Sequence, residues 1–376
     1  MRRRQLLALA ARFAPVAAFA LGTVFAGAAK AADPVKIGLL MPTKTLVGQQ
    51  GVQGAELAVR MLNDQGGILG GRPIELVTYD TAFKPAEGVA AAQRLLTQDG
   101  VKMIAGEISS TVALAVIQVA QPFGAIFMAA VPKHPDVTKS GYDRVFRLNS
   151  TTSMDNKAFD SILVDEEKPA KVAVLAENTD YGRLVIAHMR ELFGDKLAFS
   201  DTYEVTQGDF NSLVSNAKAS GADLLCIAGS NMEQYGNIIR LTDELSFDAD
   251  ICVMPGILNS KGVSIAGKAA EGAFSADIYV PSLDNAANKA FVAAFEKAYG
   301  HKPEKIEELG FESIWILAKA ADKAGTADDM GKVAETIRSN SWQTPRGDVT
   351  FDADGQASSG NVYQLVVKDG ELQVAQ

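Results

Sequence analysis

Short apolar runs alternate with amphipathic helical stretches along this chain, and the alternation runs through twice. Few folds accept that pattern, because strands separated by helices pair in parallel and parallel sheets need helices on both faces. Val35–Met41, Ile74–Tyr79, Val101–Ala105 and Ala125–Ala130 read as strands of a first unit, with helices predicted over Gly51–Asn63, Pro85–Gln98 and from about Thr111. In the first of these helices Val52, Ala55, Val59 and Leu62 share one face. Gly66-Gly67 ends it, since glycine accepts the left-handed conformation at a helix C-terminus. The pattern restarts with strands at Lys171–Ala176, Ala198–Thr202, Asp223–Ala228 and Ile251–Met254. The helices between and after them are predicted over Tyr181–Phe193, Phe210–Ala219 and Met232–Leu245, the last with Met232, Tyr235, Ile238 and Leu245 inward. Two similar lobes follow, with the polar stretch Asn149–Asn156 as the crossover. Later come helical patterns over Ala286–Tyr299, Ile306–Ala324 and Met330–Ser339, then strands at Gly347–Phe351 and Val362–Val367, the latter turning back through Asp369-Gly370. Helices placed after the second sheet imply that the chain returns to complete the first lobe.

The first 31 residues have the layout of a removable export signal: Arg2, Arg3 and Arg4, an apolar stretch from Leu6 to Ala29, and small residues flanking Lys30. Cleavage is expected near Ala31. No cysteine stands at that point, so release into the periplasm is expected and a lipid anchor is not. The chain has a formal charge of −9, and five basic but no acidic residues fall in the signal, which leaves −14 on the remainder. Such a surface is repelled by nucleic acid and by anionic lipid. From Ile108 to Pro132 no residue is charged, which is long enough for a membrane span. Gln118, Gln121, Pro122 and Gly124 interrupt it, so a helix ending before Pro122 and a buried strand fit better. Cys226 and Cys252 lie in two apolar runs read as neighbouring strands, where buried thiols are favoured over a disulfide.

Catalytic and cofactor patterns are missing. His134, His188 and His301 belong to no metal-ligand cluster, and no GxSxG elbow occurs. Gly66-Gly67-Ile68-Leu69-Gly70-Gly71 resembles a phosphate loop but stands between a helix and a strand, the reverse of the order a phosphate cradle needs. No cofactor, no metal and no enzymatic activity are expected.

The sites with useful chemistry are the loops leaving the strand ends, where ligands of parallel sheets bind. After Val101–Ala105 comes Gly106-Glu107-Ile108-Ser109-Ser110-Thr111. Three successive hydroxyls at a helix start either cap the helix or grip a carboxylate, and the residues alone leave both open.

The order of several short motifs adds a resemblance. Val35-Lys-Ile-Gly-Leu-Leu, Gly54-Ala-Glu-Leu-Ala, Asn63-Asp-Gln-Gly-Gly-Ile and Tyr79-Asp80 open the series, and Asp180-Tyr181-Gly182, Gly208-Asp209-Phe210 and Gly347-Asp-Val-Thr-Phe continue it. In this order the chain resembles type I periplasmic solute-binding proteins, in particular the leucine/isoleucine/valine-binding family of branched-chain amino acid ABC transporters. The resemblance implies an α/β fold of two lobes, each a mostly parallel sheet flanked by helices, joined by three hinge crossovers. It implies lobe I from residues 32–152 and 279–350, and lobe II from 153–278 and 351–376. A monomer that clamps a small carboxylate-bearing solute and delivers it to an inner-membrane permease is the implied function; a binding protein that presents its ligand to a separate sensor is the alternative, with an enzyme on the same fold behind it. By the same resemblance Ser110, with Ser109 and Thr111 beside it, matches the carboxylate-binding serine, and Tyr181 the pocket tyrosine of the second lobe. Val131 lies on the loop after the fourth strand, and Lys133 stands there where the family has a threonine. Asn231 falls near a pocket aromatic, while Thr45 and Lys44 face the cleft from the loop after the first strand. The family's acid for an amino-acid ammonium should follow Ile251–Met254, where this chain has Pro255-Gly-Ile-Leu-Asn259. Glu107 or Glu177 could replace that acid. A cleft that loses an acid and gains a cation favours an organic acid, aromatic acids included, over an amino acid, with Ser110 and Lys133 on its carboxylate.

Overall fold

The structure, a computed structural model, describes residues 33–358 and 360–375, so the expected signal segment lies outside the described residues. The first unit runs β1 (Val35–Met41), α1 (Leu46–Asp64), β2 (Ile74–Asp80), α2 (Pro85–Thr97), β3 (Met103–Gly106), α3 (Ser110–Ala120), β4 (Ile126–Ala129) and β5 (Val145–Arg147). These strands form one parallel sheet in the order β2-β1-β3-β4-β5. The uncharged stretch that could have been a membrane span is α3, a turn through left-handed Gly124, and buried β4. Among the described residues no helix is long and apolar enough to cross a membrane.

The second unit runs α4 (Thr152–Ser161), β6 (Val172–Glu177), α5 (Asp180–Phe193), β7 (Leu197–Tyr203), α6 (Asn211–Ala219), β8 (Leu224–Ala228), α7 (Met232–Glu244), β9 (Asp250–Val253), α8 (Ser260–Ala266) and β10 (Phe274–Asp277). Then come α9 (Ala286–Tyr299), α10 (Lys305–Ala324), α11 (Met330–Arg338), the small antiparallel pair β11 (Trp342–Thr344) and β12 (Gly347–Val349), and the hairpin β13 (Tyr363–Lys368) and β14 (Glu371–Val374). The second sheet has the order β14-β13-β10-β9-β8-β6-β7, with β13 and β14 antiparallel and the rest parallel. Cys226 and Cys252 sit opposite one another on β8 and β9, both buried and both free thiols.

Local chemistry fixes where several elements begin. Helix α1 starts five residues before the expected Gly51, because the Thr45 hydroxyl accepts from Gly48 N at 3.1 Å and caps it. Part of the polar stretch read as a plain crossover is α4, capped by Thr151 through Met154 N. Helix α10 returns to the first sheet and lies directly on α1. A Cβ at Gly54 would stand 1.8 Å from the Glu307 carbonyl oxygen, and one at Gly310 would stand 2.2 Å from that of Gly51. Only bare backbone fits on either side, so the N-terminal end of α10 is held against α1 at the edge of the crevice between the sheets. Arg346 ties the connecting segments together. Its guanidinium pairs with buried Glu312 at 2.6 Å, and also donates to the Leu148 and Ser358 carbonyls at 2.9 and 3.3 Å.

Candidate functional site

The C-terminal ends of the two parallel sheets face each other across a crevice, where ligands of such sheets bind. Its inner compartment spans about 340 Å³ of space between the atoms, part of it open to solvent. From the first sheet it takes Ile108, Ser109 and Ser110 after β3, and Val131 and Lys133 after β4. From the second it takes Thr179 and Tyr181 after β6, Ser230 after β8, and Gly256 and Ile257 after β9. Five of the eight residues expected at a ligand therefore line one compartment.

The hydroxyl of Ser110 is prepared to donate. It is 3% exposed, and its oxygen accepts from Lys133 N at 3.1 Å and His134 N at 3.2 Å. With both acceptor sites filled by amides, its proton is directed to whatever occupies the compartment. Ser109 takes the capping role, accepting from Val112 N at 3.4 Å. Thr179 does the same for α5 through Gly182 N at 3.1 Å. Helices α3 and α5 thus present their N-terminal ends to the compartment from opposite lobes, an arrangement that favours an anion between them. Burial holds the Tyr181 phenol well above the usual range, so its oxygen stays protonated.

Lys133 lines the compartment, but its ammonium is already engaged. It pairs with buried Asp155 and donates to the Pro255 carbonyl at 2.8 Å. The expected free cation is therefore a neutralised pair that fastens the loop after β4 to the loop after β9. The remaining three expected residues lie outside the lining. Thr45 caps α1, and Asn231 caps α7 through Glu233 N at 3.0 Å. Thr111 reaches the other lobe, donating to Asp180 Oδ2 at 2.8 Å and accepting from Asp180 N at 3.2 Å. Lys44 pairs with Asp80 at 3.1 Å and is largely exposed.

Neither candidate replacement acid enters the compartment. Glu107 is bound by the Thr81 hydroxyl at 3.1 and 3.2 Å, and burial pushes its carboxyl up to about 8. Glu177 accepts from Ser230 N at 2.6 Å and Asn231 N at 3.1 Å and sets the loop after β8, while burial raises it to about 7. Among the described residues no carboxylate lines the inner compartment.

Two further carboxylates join Asp180 in bridging the lobes at helix starts. Glu233 on α7 accepts from Leu46 N at 3.3 Å, and Glu304 at the head of α10 accepts from Ser260 N and Oγ at 2.8 and 2.7 Å. Each acid sits at the positive end of a helix across the crevice, so each bond holds the two sides of the crevice together. Sequence reasoning missed Thr179, Ser230, Gly256 and this set of bridges. A Thr before an Asp-led helix signals a cap; nothing in the sequence tells that the cap faces the compartment.

Comparison with known proteins agrees with this architecture. The periplasmic binding protein family model matches residues 34–371. A leucine-, isoleucine-, valine-, threonine- and alanine-binding protein of Pseudomonas aeruginosa is 30% identical over 338 residues, covering 88% of this chain and 89% of the relative. The leucine-binding protein of Thermotoga maritima superposes with a TM-score of 0.81 at 24% identity, covering 91% of this chain and 98% of that one. A solute-binding protein of R. palustris in complex with benzoate superposes with a TM-score of 0.82 at 21% identity, covering 91% and 95%. The chain belongs to the type I periplasmic binding proteins, in the Leu/Ile/Val-binding family.

Proposed function

We propose that this protein is the periplasmic solute-binding component of an ABC transporter and that its solute is a small organic acid without an amine. It captures and releases the solute unchanged, as a monomer, and presents it to an inner-membrane permease. Residues 32–152 and 279–350 move as one body, and 153–278 with 351–376 as the other. Solute between them favours closure to the extent that the closed form binds it better.

One observation carries the ligand class. The inner compartment offers the Ser110 hydroxyl and two helix N-termini to an anion, and it offers no carboxylate to an ammonium. An ammonium enclosed there without a counter-ion would lose its hydration for nothing, at a cost of several kcal/mol. Lys133, already paired, holds the loop whose amides polarise Ser110. The similar Pseudomonas protein, which binds amino acids by its name, favours the second reading, an aliphatic amino acid. Calorimetric titration with benzoate-type acids and with leucine separates the two. Tight binding of an acid with no heat from leucine is expected; tight leucine binding overturns the acid reading.

A further inference from the structure

The crevice continues beyond Gly256 into a larger outer compartment of about 2110 Å³, part of it open to solvent. Gly256 and Ile257 line both compartments. The outer one is walled by Gln50 of α1, Asn259 before α8, Asp277 at the end of β10 and Lys305 at the start of α10. Lys305 is 3% exposed, and its Nζ has no hydrogen-bond partner. Its nearest counter-charge is Asp277 Oδ1 at 3.6 Å, an oxygen that already accepts from Ile278 N at 2.7 Å. An ammonium carries three donors, and a buried one with none of them used calls for an acceptor from outside the chain.

The other acids that line the compartment do not meet that need. Glu304 is occupied by Ser260, and one Glu307 oxygen accepts from Glu304 N at 3.1 Å. The other Glu307 oxygen is unpartnered, and burial raises this carboxyl to about 8, which disfavours the charged form a lysine would pair with. Glu371 lies at the exposed rim. Lys305 and Lys133 converge on bare Gly256: a Cβ there would stand 2.1 Å from the Lys305 Nζ and 2.9 Å from the Lys133 Nζ. The saturated lysine of the inner compartment and the unsatisfied lysine of the outer one are thus adjacent, with no side chain between them.

We propose that the solute is a dicarboxylic acid, its first carboxylate held by Ser110 and its second by Lys305 in the outer compartment. The assignment rests on the acid-binding reading of the inner compartment and names the substrate class of that same site.

The test is a calorimetric series on the full mature chain, using straight-chain monoacids and the α,ω-diacids of matching length. At the matching length the diacid binds at least about tenfold tighter than its monoacid. Lys305→Met abolishes that gain and leaves monoacid affinity within about twofold. Asp277→Asn keeps Lys305 and removes its nearby counter-charge, so diacid binding tightens while the monoacid is unaffected. Should Lys305→Met fail to fold, the wild-type series and Asp277→Asn decide. Equal affinity for mono- and diacids at every length, or equal losses for both in Lys305→Met, overturns the proposal. Monoacid binding without a diacid gain removes only this inference; leucine binding with no heat from any acid removes the reading beneath it.

Discussion

Ser110→Ala isolates the contact on which the proposed recognition depends. In the wild type the serine oxygen accepts two amides, from Lys133 and His134, and its proton is left for the solute. Removing the hydroxyl deletes one charge-assisted hydrogen bond to a carboxylate, about 1–3 kcal/mol, or roughly 5- to 150-fold in Kd. It also leaves two amides without their acceptor. Lys133 is buried, so its amide bears most of that desolvation cost, about 1–3 kcal/mol; the part-exposed His134 recovers some of its loss from water. Thermal unfolding should therefore drop by a few degrees, while calorimetry with a benzoate-type acid shows the larger change. The matching neutral amide provides the control. A hydrogen bond to a neutral acceptor is roughly half as strong, so benzamide should lose less than benzoate. Unchanged benzoate affinity in a folded Ser110→Ala protein, or equal losses for acid and amide, would refute the reasoning.

Thr111→Val removes the bonds to Asp180 that bridge the lobes without touching the compartment lining, so binding of every solute should weaken by about 3- to 20-fold. Small-angle scattering should show a larger radius of gyration in the unliganded variant; unchanged affinity and radius would deny Thr111 a part in closure. Gly256→Ala places a Cβ onto two lysine ammoniums at a φ of +96°, where the left-handed backbone alone costs about 1–2 kcal/mol, and should lower the melting temperature and abolish binding. Melting temperature should fall as pH rises from about 5 to 8. Burial raises the carboxyls of Glu107, Glu177 and Glu307 to about 8, 7 and 8, so the folded state keeps protons that the unfolded chain gives up above its ordinary carboxyl range. Glu177→Gln should flatten that slope; a melting temperature that climbs across the range would show that these groups ionise freely.

The sequence makes the large repeating elements legible because periodicity over many residues reports burial of one face. β1, α2, α7 and β13 stand within a residue or two of their expected bounds, and β13 turns back through Asp369-Gly370 as expected. Strands β5 and β10 have three and four residues, too short to show a period, and they exist because a neighbouring strand pairs with them. Ser110 and Tyr181 could be placed through the family pattern, and both line the compartment. Lys133 could be seen but not its partner, since Asp155 is brought to it from α4 by tertiary folding. Lys305 reads as one charge just ahead of an amphipathic helix; it is tertiary folding that buries it at the crevice, beside Gly256 and Asp277.

Native mass spectrometry of the protein purified from its periplasm, followed by exact-mass analysis of the released solute, tests the central claim directly. A nitrogen-free acid, bound one per chain and displaced by added benzoate-type or dicarboxylic acid, is the expected result. Release of leucine or another amino acid in that ratio would contradict it.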